Sequence, residues 1–271
     1  MLVGIGGCTA LLLTGFGLRH SIVNVVDFQF ENVTVYDMTV YFSDAQTESQ
    51  QERFEKLTED CVENVMFFNQ ISAELEHGHQ VKEIYLMTAG QEIEEFVNFK
   101  QGEITLPMPG LNEVLLTVGV TENMGINVGD KVIMRNADME ELELTVSGIY
   151  DNHVNNYAVI TPETVQAQWN RTPEEQMALI QVRDGQDVYS ASTVITDLSG
   201  VLNVSISQEL ADMVDRAFEE EWIDFFPRDG KRGGAFCAGV ECLGQSRILT
   251  NYDGMFTDVV TLAHEMGHAF H

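Results

Sequence analysis

Six apolar runs of strand length between residues 81 and 160 constrain this chain more than any other feature. They cover residues 81–87, 95–100, 113–120, 131–135, 142–150 and 157–160 and are rich in β-branched and aromatic side chains. Turn signals part them, notably Pro107-Met-Pro-Gly110, Gly125 and Gly129-Asp130. Strands that follow one another so closely must satisfy their backbone groups by pairing, so the middle of the chain is read as a sheet.

Helical and extended patterns flank this block. Upstream, Asp27-Phe-Gln-Phe-Glu-Asn-Val-Thr-Val-Tyr-Asp-Met-Thr-Val-Tyr-Phe42 alternates apolar and polar residues, which predicts one long or two short strands. In residues 47–76, Phe54, Leu57, Cys61, Val65, Phe68, Ile71 and Leu75 step by three or four, which predicts an amphipathic helix ending at Gly78. His77 and His79 are then solvated histidines at a helix end. Downstream, Thr161-Pro162-Glu163 opens a short helix, with threonine as cap and proline in the first turn. Residues 177–182 and 201–206 read as strands around a helix at 186–198, and a further helix starts after Ser207. The class is α+β, with no repeat.

The first eighteen residues carry no charge, and a run of that length can just cross a bilayer as a helix. No basic flank or small-residue cleavage site accompanies it, so the expectation is an uncleaved membrane-type helix over residues 1–22. The whole chain holds 14 Lys+Arg against 43 Asp+Glu, a formal charge of -29. That balance excludes nucleic acid as an expected partner, because phosphate binding needs a basic face. Acidic pairs such as Glu94-Glu95 and Glu140-Glu141 are read as solvated surface. Cys8, Cys61, Cys237 and Cys242 show no regular metal spacing and are read as plain thiols. No catalytic constellation is visible in residues 1–215.

Chemistry enters at the end, in His264-Glu265-Met266-Gly267-His268. On a helix, residues four apart share a face, so His264 and His268 can offer two imidazoles to one zinc ion while Glu265 reaches a water on the metal as general base. A catalytic zinc takes three protein ligands. His271, Asp258 and Cys237 are the nearby candidates, and His271 stands almost two turns from His264, badly placed to complete the same set.

Two resemblances follow. Gly7-Cys-Thr-Ala-Leu-Leu-Leu-Thr-Gly-Phe-Gly-Leu-Arg-His-Ser-Ile22, Val128-Gly-Asp-Lys-Val132, Val146-Ser-Gly-Ile149 and Val201-Leu-Asn-Val-Ser-Ile206 make residues 1–215 resemble the extracytoplasmic domain of an ABC-transporter permease of the FtsX/MacB type. That resemblance implies a sensor or coupling module outside the membrane, with transporter subunits as partners. Phe218-Glu-Glu-Glu-Trp-Ile-Asp-Phe-Phe-Pro-Arg-Asp-Gly-Lys-Arg-Gly-Gly-Ala-Phe-Cys237 and the run from Ser246 to His271 resemble the M3 metallopeptidases, in particular oligoendopeptidase F. That resemblance implies zinc ligation by His264 and His268, general-base catalysis by Glu265 and an oligopeptide substrate. The family's third ligand, a glutamate on the following helix, has no counterpart in these residues, so the expected zinc site is weak and the peptidase incomplete. The expected organisation is an apolar helix over 1–22, an α+β extracytoplasmic-type domain over 23–215 and a helical metallopeptidase fragment over 216–271. The expected location is at the membrane with the domain outside, although the peptidase part alone implies the cytoplasm.

Overall fold

The computed structural model describes residues 29–152, 155–207, 209, 220, 222–224, 235–240 and 245–249. The apolar segment of residues 1–22 and the motif at 264–268 lie outside the described residues. Phe28–Gln208 forms one compact unit, and the few described residues beyond it belong to another.

In chain order the first unit contains β1 (Met38–Phe42), α1 (Glu48–Thr58), β2 (Val62–His77), β3 (Gln80–Thr88), β4 (Lys100–Gln101), β5 (Ile104–Thr105), β6 (Glu113–Thr117) and α2 (Val118–Met124). β7 (Lys131–Arg135), β8 (Glu141–Tyr150), β9 (Tyr157–Ile160), α3 (Pro162–Trp169), β10 (Met177–Val182), α4 (Val188–Thr196) and β11 (Val201–Ile206) follow. Nine strands join in the order β11-β1-β10-β2-β3-β9-β6-β8-β7, and a further pairing of β2 with β7 closes the far part on itself.

Two layers result. In the first, β11, β1, β10 and β2 pair antiparallel throughout. The units β1-α1-β2 and β10-α4-β11 are thus two split β-α-β units, each holding a strand of the other between its own two strands. Side chains alternate across this sheet. Val65, Phe67, Ala178 and Ile180 join the cluster that includes Phe54 of α1 and Ile195 of α4, while Met66, Phe68, Met177 and Leu179 belong to a second cluster. Phe42 and Phe67 stack, and Phe54 meets both edge-on, with ring centroids 5.5–5.8 Å apart.

The second layer is a closed six-stranded barrel of the C-terminal part of β2 with β3, β9, β6, β8 and β7, closed by Glu74↔Arg135, Leu75↔Met134 and Glu76↔Ile133. Inward-facing residues of every strand fill it, among them Leu75, Leu86, Leu116, Met134, Leu142 and Ile160, all buried. Val120 and Met124 of α2 and Val165 of α3 join the same core. The Arg135 guanidinium pairs with Glu76 on β2 and, at 2.7 Å, with Glu141 on β8, joining the three strands of the closure. All barrel strands but β2 lie in the sequence between β2 and β10, so the barrel is an insertion into the first layer, and the sixteen residues of β2 belong to both.

The structure corrects several expectations. The helix expected over residues 47–76 ends at Thr58, and residues 62–77 are strand. The 3–4 spacing of Val65, Phe68, Ile71 and Leu75 is genuine, but Met66 and Phe67 lie between them, and a run apolar on both faces fits either period. Pairing with β10, β3 and β7 decides the matter. Gly78, expected to stop a helix, instead begins a two-residue hairpin loop at φ +63, a left-handed backbone that glycine adopts without strain. Of the alternating segment 27–42, whose residues 29–42 are described, 38–42 is the strand among the described residues. Gln29–Val33 is one π-type turn, because β10 and β11 run only beside residues 38–42. The run 113–120 leaves the sheet after Thr117 and becomes α2, which Gly125 ends at φ +68. Most of 95–100 is a loop after a 3-10 turn at Gln91–Glu95. The remaining strands and the helices at 162–169 and 188–196 lie where the sequence pattern put them.

Candidate functional site

The metal-binding candidates His264 and His268 and the candidate base Glu265 lie outside the described residues, as does Asp258. Cys237 stands on the short sheet that precedes them in the chain. This sheet consists of β12 (Ile223–Asp224), β13 (Phe236–Val240) and β14 (Gln245–Leu249), with β14 in the middle, parallel to β12 and antiparallel to β13. Ile248 donates its N–H to the Trp222 carbonyl at 2.9 Å, and both side chains are buried. Ser246-Arg-Ile-Leu249, the start of the stretch that carries the peptidase resemblance, is therefore the central strand of this sheet. Among the described residues, no group of three or more His, Cys, Asp or Glu side chains is arranged to hold a metal ion.

His77 and His79, read from sequence as solvated, flank Gly78 at the β2–β3 hairpin. The His77 Nε2 lies 3.9 Å from Asp130 Oδ2 and its Nδ1 3.3 Å from the Lys131 carbonyl. The hairpin borders an open groove of ≈ 800 Å³ lined by Glu76, Lys131, Glu141, Glu143 and Gln168 among others. Arg135 draws two of these carboxylates into the barrel closure.

Sequence reasoning missed a different feature, a cavity of ≈ 70 Å³ between the first layer and the barrel, within the Phe28–Gln208 unit. Tyr36 and Tyr41 reach it from the β1 segment, Phe68 and Gln70 from β2, Tyr150 from the end of β8 and Tyr157 from β9. These residues are distant in sequence and sit on separate strands, so spacing could not group them. Burial pushes the Tyr150 phenol well above its ordinary value, with Tyr157 and Tyr36 adding to the effect. Burial likewise raises Tyr36, against a hydrogen bond with Thr39, and raises Tyr157, against one from Asn155.

This arrangement predicts alkaline sensitivity. A phenol whose folded pKa exceeds its unfolded value binds more protons when folded, so its contribution is complete below the ordinary pKa of about 10 and is lost as pH rises through the folded value. Denaturant unfolding should show a stable plateau up to about pH 10 and falling stability above it. Phenolate absorbance should grow together with unfolding; ionisation of all tyrosines while the fold persists would contradict the burial.

Comparison with known proteins separates the two parts of the chain. The model of peptidase family M3 matches residues 200–271. In that region the chain is 41% identical over 64 residues to the chromosomal oligoendopeptidase F of Lactococcus lactis subsp. cremoris, covering 24% of this chain and 10% of that protein. It is 48% identical over 54 residues to an oligoendopeptidase F homolog of Borreliella burgdorferi, covering 20% and 9%. The chain thus spans about a tenth of the length of these relatives. Among solved structures, the periplasmic region of MacB from Actinobacillus actinomycetemcomitans aligns with a TM-score of 0.43 at 12% identity, over 70% of this chain and 97% of that one. The model of the MacB-like periplasmic core domain matches residues 1–198, most of the chain. With its C-terminal segment similar to the M3 peptidases, this chain belongs to the MacB-like periplasmic core domain family.

Proposed function

We propose that residues 23–215 serve as an extracytoplasmic interaction and coupling module of an ABC-transporter permease, held at the membrane by the uncharged segment of residues 1–18. The observation that carries this reading is β2, whose sixteen residues run from the split β-α-β layer into the barrel of a chain in the MacB-like family. A contact made on the barrel acts on a strand that the other layer shares, which is what a module relaying an external contact requires. Transporter subunits are the partners of this reading. No helix among the described residues is long and apolar enough to cross a membrane, and the proposed anchor of residues 1–18 lies outside them. The test is labelling with a membrane-impermeant maleimide, using a chain whose four cysteines are replaced by serine. Ile104→Cys, at the 65% exposed first residue of β5, should be labelled in intact cells. Labelling only after lysis would count against an external domain.

A second reading, a zinc-dependent oligopeptidase, is supported by His264-Glu265-Met266-Gly267-His268 and by the matching oligoendopeptidase F flanks. The donor set fits zinc only in part, with two imidazoles where a catalytic ion takes three protein ligands. Bound zinc would supply Lewis acidity and an acidified water, and Glu265 is the side chain placed to take that water's proton. For these 271 residues the expected result is weak zinc retention on dialysis and no cleavage of a quenched oligopeptide that responds to Glu265→Gln. One tightly held zinc with Glu265-dependent turnover would establish the enzyme reading instead.

A further inference from the structure

We infer that the tyrosine-lined cavity between the split β-α-β layer and the barrel binds a small uncharged molecule bearing hydroxyl or amide groups. Its volume of ≈ 70 Å³ equals the share of about two liquid waters at ~30 Å³ each, or one molecule the size of acetamide. In a chain with 43 Asp+Glu, none of the described residues that line the cavity carries a charge. An ion entering it would lose its hydration with no counter-charge to replace it. The polar lining consists of phenols, threonines and carboxamides, which can donate and accept hydrogen bonds, and Phe68, Phe99, Met87 and Leu179 supply apolar walls. That mixture of apolar walls with a few polar groups is the usual composition of a small-molecule site.

Among the described residues, two of the polar side chains make no hydrogen bond. The Tyr150 side chain is 3% exposed, and no hydrogen bond contributes to the state of its hydroxyl. Among the described residues no sealed-off side-chain polar atom lacks a partner, so this hydroxyl must open onto the cavity. The half-buried Gln70 side chain likewise makes no hydrogen bond among the described residues, although it lines the same space. Tyr36 and Tyr157, by contrast, are engaged with Thr39 and Asn155 and hold the walls in place. Phenols are protonated at neutral pH, and burial, which raises Tyr36, Tyr150 and Tyr157 further, extends the uncharged state of the site to more alkaline pH.

Acetamide and acetate make a matched pair of test ligands, nearly identical in shape and different in charge. Titrated into the full chain and followed by NMR of the tyrosine rings, acetamide should shift Tyr150 and Tyr157 saturably in the millimolar range, and acetate should not. Tyr150→Phe, which keeps the ring, and Gln70→Leu should each weaken acetamide about 3–10-fold, the worth of one neutral hydrogen bond. Val128→Ala, at an exposed loop residue away from the lining, should leave it unchanged. Equal binding of acetate, acetamide shifts that survive both cavity variants, or no shift at all in the unaltered chain, the mark of ordered water only, would each overturn the assignment. Because wild-type binding is read directly, a variant that fails to fold does not remove the test.

Discussion

Leu116→Ala is expected to destabilise the Phe28–Gln208 unit by about 2–5 kcal/mol, the range for removing a buried leucine side chain and leaving a cavity. Leu116 lies on β6 inside the closed barrel with no exposed surface, packed in the cluster that contains Leu75, Leu86, Val114 and Leu142. A barrel relaxes poorly around a void, because moving one strand inward disturbs the pairing of both neighbours, so the upper half of the range is expected. For a unit of this size each kcal/mol lowers the melting temperature by about 2–4 °C. Because β2 is shared by the two layers, the loss should appear in one cooperative transition of both. Two separated transitions, or a loss below about 1 kcal/mol, would show that the barrel unfolds apart from the first layer or collapses around the missing methyl groups.

Gly148→Ala is the second large effect, and it arises from overpacking. Gly148 faces Leu115 across the parallel β6–β8 pairing, just after a bulge where the register steps from Val114↔Val146 to Leu115↔Gly148. The Ser147 hydroxyl, at the extra residue, donates to the Val114 carbonyl at 3.2 Å. A Cβ on residue 148 would stand 2.8 Å from Leu115 Cδ2 and 3.1 Å from Leu106 Cδ1. Its backbone is not left-handed, so the glycine is required here for space alone. Leu115 is 1% exposed and has little room to withdraw. Insertion of a methyl into such a core costs about 1–3 kcal/mol. Shortening Leu106, which is only partly buried, in the double variant Gly148→Ala/Leu106→Ala should recover part of that loss in denaturant unfolding. A fully stable single variant would mean that β8 shifts freely at its bulge.

Much of the fold was legible where the apolar period had one interpretation. Residues 131–135, 142–150 and 157–160 alternate or run apolar between turn residues, and each is a strand. Thr161-Pro162 announced α3 by local chemistry that needs no tertiary partner. The segment 62–77 was illegible for the opposite reason. Its run Val65-Met-Phe-Phe68 is apolar on both faces, so the period read across it is ambiguous, and its state was decided by β10, β3 and β7, which come from elsewhere in the chain. The tyrosine cavity was hidden in the same way, since its walls come from strands far apart in sequence.

By itself the sequence determined what local chemistry can determine: the α+β class, most of the later strands, the strongly acidic composition, and a metallopeptidase-like segment recognisable by contiguous residues around His264 and His268. Barrel closure through β2 and β7, the two interleaved split β-α-β units and the uncharged cavity between the layers were decided only by the tertiary structure. Each depends on long-range pairing and on burial from two sides, and neither is written in the periodicity of any one segment.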